Sequence, residues 1–158
     1  MTKTAIFLIG VPGSGKTTWA QKYIDQGWAH VSTDRWIESA ADQQGKTYGQ
    51  VFKDEMPAAQ QQAQAILDRA IANGENIVWD QTNLTRQSRR RKIQRLKSNG
   101  YTVLAHAFEI DPAELARRQQ VRASTTGKLI PQHIVDTMIQ SYEAPAASEG
   151  FDKITVHR

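Results

Sequence analysis

Lys16 and Thr17 close the stretch Gly10-Val11-Pro12-Gly13-Ser14-Gly15-Lys16-Thr17, which fits the spacing G-x-x-x-x-G-K-[ST]. Glycine at 13 and 15 lets successive backbone N–H groups curl inward around an anion, and a helix starting at this point turns its positive end toward the same charge. A lysine and a hydroxyl placed at the mouth of such a loop suit the terminal phosphates of a nucleotide and its Mg²⁺. The expected ligands are therefore ATP, contacted by Gly10, Pro12, Gly13, Ser14, Gly15, Lys16, Thr17 and Thr18, and Mg²⁺, held at the Thr17 hydroxyl.

A transferred phosphoryl group needs an acceptor, and an acceptor hydroxyl needs a carboxylate to receive its proton. Asp34, in "HVSTDRW", is the candidate base; an N-cap on a helix beginning near Arg35 accounts for it equally well. Asp80 follows the apolar run "NIVW", where a carboxylate can order Mg²⁺ or the Thr17 hydroxyl, or can simply form a turn. Asn83, three residues later, suits either the acceptor or a turn. Arg118 and Arg122 are four apart, so a helix puts them on one face. They fit a lid over residues 118–131 that closes on the donor phosphates, and they also fit a solvated basic face. The segment "RQSRRRKIQRLK" from Arg86 is dense enough in Lys and Arg to meet a polyanionic acceptor, yet its Ile93 and Leu96 also mark an ordinary amphipathic helix. Trp36 could stack on a base or pack in the core. His30, His106, His133 and His157 have no metal-ligand spacing, and no chemistry is assigned to them.

Elements that place these residues can be read from hydrophobic pattern. Apolar runs at 5–9, 28–31, 76–79 and 101–108, with a weaker one at 153–157, alternate with segments rich in helix formers. This βα alternation predicts a three-layer α/β domain with a mostly parallel central sheet of four to five strands and a helical lid, a single domain spanning the chain. "DPAE" at 111–114 predicts a helix capped by Asp111, and "IPQH" predicts another with Pro131 early in it. In an open parallel sheet, Asp34, Asp80 and the glycine loop all fall at the carboxyl ends of strands, on one crevice.

With 158 residues, the chain is long enough to bury a core without covalent staples. A net charge of +4 favours anionic partners without requiring them. No cysteine is present, and no apolar run reaches membrane-spanning length, so a soluble cytoplasmic protein of unspecified oligomeric state is expected.

Through "GVPGSGKTTW", "VSTDRW", "WDQTNLTRQSRR", "ELARRQQVR" and "YEAPAASEGF", nearly end to end, the chain resembles the kinase domain of the polynucleotide 5′-hydroxyl kinases of phage and of animal repair enzymes. The resemblance implies ATP and Mg²⁺ on Lys16 and Thr17, Asp34 as general base on a 5′-hydroxyl of DNA or RNA, Asp80 supporting the metal, and Arg122 with Arg118 on the donor phosphates. It implies that 142–151 packs beside the nucleotide, while Arg35, Asn83 and Arg86 are the further candidates for binding the acceptor. The phage enzyme uses an arginine on the acceptor's phosphate; the corresponding place here is near Ile37, with Arg35 the nearest guanidinium. It carries no D-x-D-G-T or K-x-D-G motif, so phosphatase and ligase steps would be supplied in trans. Two other readings stay open: a kinase for a small hydroxylated metabolite, antibiotic or nucleoside, and an ATP-dependent switch or binding module.

Overall fold

A computed structural model describes residues 2–126, 128 and 130–158. Five strands, β1 (Lys3–Ile9), β2 (Ala29–Val31), β3 (Ile77–Asp80), β4 (Tyr101–Phe108) and β5 (Lys153–His157), form one parallel sheet in the order β2-β3-β1-β4-β5. The six helices are α1 (Lys16–Asp25), α2 (Asp34–Gln44), α3 (Tyr48–Asn73), α4 (Arg86–Ser98), α5 (Pro112–Thr126) and α6 (Gln132–Ser141).

The alternation of side chains along a strand explains the layers. Ala5, Phe7 and Ile9 of β1 share one core with Ala63, Leu67 and Ala70 of α3 and Ile93 and Leu96 of α4. Ile6 and Leu8, on the opposite face, pack with Ala20, Trp19 and Tyr23 of α1. Both faces of β1 are covered, as a parallel sheet requires, and its run is accordingly apolar without interruption.

Helix ends obey local chemistry. Asp111 Oδ2 accepts from the backbone N–H of Ala113 (3.1 Å) and Glu114 (3.3 Å), which fixes the start of α5 as the sequence predicts. Pro131 is the residue that precedes α6. At α3, Thr47 and Gln50 form a reciprocal cap, so the helix begins at Tyr48. Ile37 and Ala41 of α2 pack on Tyr48, Val51 and Ala59 of α3, forming a small separate core beside the sheet. Within the expected lid, Gly127 and Leu129 lie outside the described residues. Among the described residues no helix is long and apolar enough to cross a membrane.

Because every strand is parallel, the segments that leave their carboxyl ends gather along one edge. The glycine loop follows β1 there, with Asp34 just after β2 and Asp80 at the end of β3. Chain from β1 runs toward β2, while β4 lies on β1's other side, so the loop sits where the strand order reverses.

Candidate active site

Gly13 (φ 87°) and Gly15 (φ 93°) hold the left-handed conformations that curl the loop, and the Gly10 N–H donates to the Thr82 carbonyl (3.0 Å), which ties it to the chain after β3. The Ser14 hydroxyl is buried in this loop without a hydrogen-bond partner. An anion accepting from it would resolve that deficit, which fits phosphate at this position. Lys16 is buried at the start of α1. Burial pushes its pKa down, against the pull of Asp80 and Asp34, with Arg122 and Lys128 adding to the depression. A polyphosphate would restore the charge that burial disfavours.

Thr17 Oγ1 donates to Asp80 Oδ2 (2.8 Å), and His30 Nε2 lies 2.8 Å from the same oxygen. The pair of a hydroxyl and a carboxylate beside the phosphate loop suits Mg²⁺, which binds few protein groups and takes the rest of its shell from phosphates and water. Thr17 and Asp80 would hold it, and it would supply charge for the terminal phosphates. Asp80→Asn is expected to raise the Mg²⁺ concentration for half-maximal turnover roughly 10- to 100-fold. A Mg²⁺ titration at saturating ATP that leaves the midpoint unmoved would restrict Asp80 to anchoring Thr17 and His30.

α5 lies across the loop. Arg118 Nη1 donates to the Gly13 carbonyl (3.4 Å), while its Nε is held by Glu114 Oε1 (3.0 Å). The buried amide of Gln119 donates to the Pro12 carbonyl. A β-carbon placed on Gly13 would come within 2.8 Å of Gln119 Nε2 and 3.3 Å of Arg122 Nη1. Arg118 and Arg122 thus both face the loop.

The carboxylate of Asp34 caps no helix; Thr33 precedes α2 instead. Tyr48 donates its hydroxyl to Asp34 Oδ1 (2.5 Å), and Lys128 Nζ reaches Asp34 Oδ2 (3.2 Å) and Glu38 Oε1 (2.7 Å). Burial raises the Asp34 carboxyl, but the charge of Lys128, the hydrogen bonds from Tyr48 and Lys128, and Lys16 together outweigh it and hold the group below its ordinary value. Burial and the neighbouring Asp34 charge push the Tyr48 hydroxyl upward, so it stays a proton donor.

Two cavities meet at this carboxylate. One, of about 800 Å³, runs over the phosphate loop and is bounded by Arg35, Arg117, Arg118 and Arg122. Its walls carry six Lys or Arg (Lys16 and Lys128 are the others) against Asp34, Glu38 and Asp80, a positive excess that matches a polyphosphate. The other, of about 690 Å³, is walled by Tyr48, Phe52, Met56, Ile134 and Met138. Pro12, Lys16, Asp34, Asp80 and Lys128 line both.

Other expected site residues fall in different places. Arg35 lines the first cavity, its Nη1 3.4 Å from His30 Nδ1. Asn83 is a buried turn residue (φ 48°) that donates to the Leu8 carbonyl (3.0 Å), and it also lines the second cavity. Arg86 is exposed, 4.0 Å from Glu149, and lines neither cavity. Much of the basic density of α4 is engaged within the protein: Arg89 with Glu149, Arg95 with Asp68 and Lys97 with Asp152. Trp36 donates to Glu55 (2.9 Å), and Phe151 packs edge-on to Phe7 in the core, away from the loop. Tyr142 lines a smaller cavity with Phe108 and Leu115. Tyr48, Glu38 and His30 reach the site from outside the expected site residues, and Gln119 and Lys128 reach it from within the expected lid. Only Tyr48 had a local signal, the T-x-x-Q cap ahead of it.

The family described as AAA domain matches residues 6–145. The chain belongs to the AAA domain family. As a member, it shares 25% identity over 157 residues with mouse (Mus musculus) heterogeneous nuclear ribonucleoprotein U-like protein 2, a match covering 95% of this chain and 21% of the relative. A protein of Acanthamoeba polyphaga mimivirus named for bifunctional polynucleotide phosphatase/kinase activity is also 25% identical over 157 residues, covering 96% of this chain and 32% of that protein. The chain thus spans a fifth to a third of the length of these relatives. Among solved structures, a Chloroflexus aurantiacus protein described as a kinase superposes with a TM-score of 0.71 at 14% identity, over 98% of this chain and 84% of that one. This AAA domain therefore shares that protein's fold, a parallel five-stranded sheet with helices packed on its two faces.

Proposed function

We propose that this AAA domain protein is an ATP-dependent kinase that transfers the γ-phosphoryl group to the 5′-hydroxyl end of a nucleic acid. The observation that carries the reading is the position of Asp34, on the wall common to a cationic cavity over the phosphate loop and a second, largely apolar cavity. ATP in the first and an alcohol in the second would meet at this carboxylate. Lys16 and the arginines of α5 would stabilise the charge of the phosphoryl group in flight, while Asp34 orients the hydroxyl and takes its proton. The polynucleotide acceptor is supported by the mimivirus relative and by the motifs shared with 5′-hydroxyl kinases.

A second reading, a kinase for a small hydroxylated acceptor, is favoured by α4, whose Arg89, Arg95 and Lys97 are engaged by carboxylates of the protein. γ-Labelled ATP offered with 5′-hydroxyl DNA and RNA oligonucleotides and with a panel of small alcohols separates the two. The first reading expects label at oligonucleotide 5′ ends, with transfer that weakens steeply as salt rises. Label on small alcohols alone, without a salt slope, would replace it with the second.

A further inference from the structure

Three lysines line the second cavity: Lys16, Lys128 and Lys92. Lys16 belongs to the phosphate loop, and Lys128 is bound to Asp34 and Glu38. Lys92, from α4, differs from both. Its Nζ donates to two neutral amide oxygens, Gln81 Oε1 (2.9 Å) and Asn83 Oδ1 (2.7 Å), and stands 5.1 Å from the Trp79 ring centroid. Among the described residues no carboxylate lies within ion-pairing distance of it.

An ammonium partly withdrawn from water and met by two amide dipoles and a ring face, with no carboxylate, is incompletely compensated, and burial lowers its pKa to about 8. An anion entering the cavity would supply the missing charge and use the third N–H of the amine. Among the described residues, the other cations lining this cavity are Lys16 of the phosphate loop and Lys128, bound to Asp34 and Glu38. Ile37 of α2 is fully buried against α3, and Arg35 lines the first cavity. The same cavity is walled by the aromatic and aliphatic side chains of Tyr48, Phe52 and Met138, which suit a planar or apolar body.

We infer that Lys92 anchors an anionic group on the acceptor, so that the substrate is an alcohol that also carries a phosphate or carboxylate, its hydroxyl at Asp34 and its anion at α4. The assignment rests on the reading of the second cavity as the acceptor site. On a nucleic acid the anion is the first phosphodiester after the terminal nucleoside; on a small acceptor it is the molecule's own acidic group. Lys92 is a specificity-determining residue in this scheme and touches no reacting atom.

Matched acceptors test it: a nucleoside against its 3′-monophosphate, and a neutral sugar alcohol against its phosphate, each with the parent, Lys92→Gln and Lys92→Arg. The parent is expected to prefer the charged member of a pair in kcat/KM by roughly 10- to 100-fold. Lys92→Gln should abolish that preference while neutral-acceptor turnover and the KM for ATP stay near parental values, and Lys92→Arg should retain it. Equal loss on charged and neutral acceptors, or preference surviving in Lys92→Gln, overturns the inference and leaves Lys92 as a brace for residues 81–83. Preference confined to the sugar pair overturns the polynucleotide reading and keeps the anchor. Should neither pair be phosphorylated, inorganic phosphate titrated onto the Mg·ADP-saturated protein decides: weaker binding by Lys92→Gln than by the parent supports the anchor, and equal binding refutes it.

Discussion

Asp34→Asn is expected to lower kcat by roughly 10²- to 10⁴-fold, the range seen when a positioned acid or base is removed. The affinity for Mg·ATP should change little, because the phosphate loop and the arginines of α5, which would hold the donor, donate no hydrogen bond to Asp34 among the described residues, its partners being Tyr48 and Lys128. The same arrangement that makes Asp34 a weak base also makes it a well-placed one. Tyr48 and Lys128 grip one oxygen each and hold the carboxyl below its ordinary pKa, so it is ionised throughout the neutral range. In a loose phosphoryl-transfer transition state the nucleophile's proton leaves late, and a carboxylate that aims the hydroxyl in line contributes more than one that removes the proton early. Single-turnover transfer, with nucleotide binding measured separately, checks this. Parental transfer by Asp34→Asn would sink the assignment.

Arg89→Met is expected to destabilise the fold by about 3–5 kcal/mol, the usual cost of leaving a buried charge without its partner. Arg89 is fully buried; its Nε and Nη2 donate to Glu149 (2.9 and 3.0 Å) and its Nη1 to the Asn83 carbonyl (2.8 Å). These bonds join α4, the turn at 147–149 and the chain after β3 that supports Asp80. For a chain of this size the loss corresponds to a fall in Tm of roughly 10 °C. Combining Arg89→Met with Glu149→Met should recover part of it, because neither charge is then stranded. Urea unfolding of the three variants measures both quantities, and a single-variant loss under about 1 kcal/mol would show that water reaches the pair.

The frame of the molecule was written locally. Each apolar run became a strand within one or two residues of its expected ends, and in β1 and β3 the reason is plain, because a strand buried on both faces admits no polar interruption. The phosphate loop was equally legible, since its chemistry resides in eight consecutive residues. The neighbourhood of Asp34 was not. Lys128 lies 94 residues away in sequence and Tyr48 belongs to another helix, so nothing in "VSTDRW" announces either. Arg89 shows the converse limit: a run of arginines reads as surface charge, and which one turns inward depends on Glu149, 60 residues later. His30 has no metal-ligand spacing along the chain, because its partner Asp80 is on the neighbouring strand.

Gly13 gives the site one more property. Its missing side chain leaves the space into which Gln119 and Arg122 settle. An alanine there would act as a wedge, forcing those tips outward while straining a backbone at φ 87°. How far α5 can descend is thus set by a single absent methyl group, and the reach of the arginines and the depth of the phosphate cradle can drift only in step.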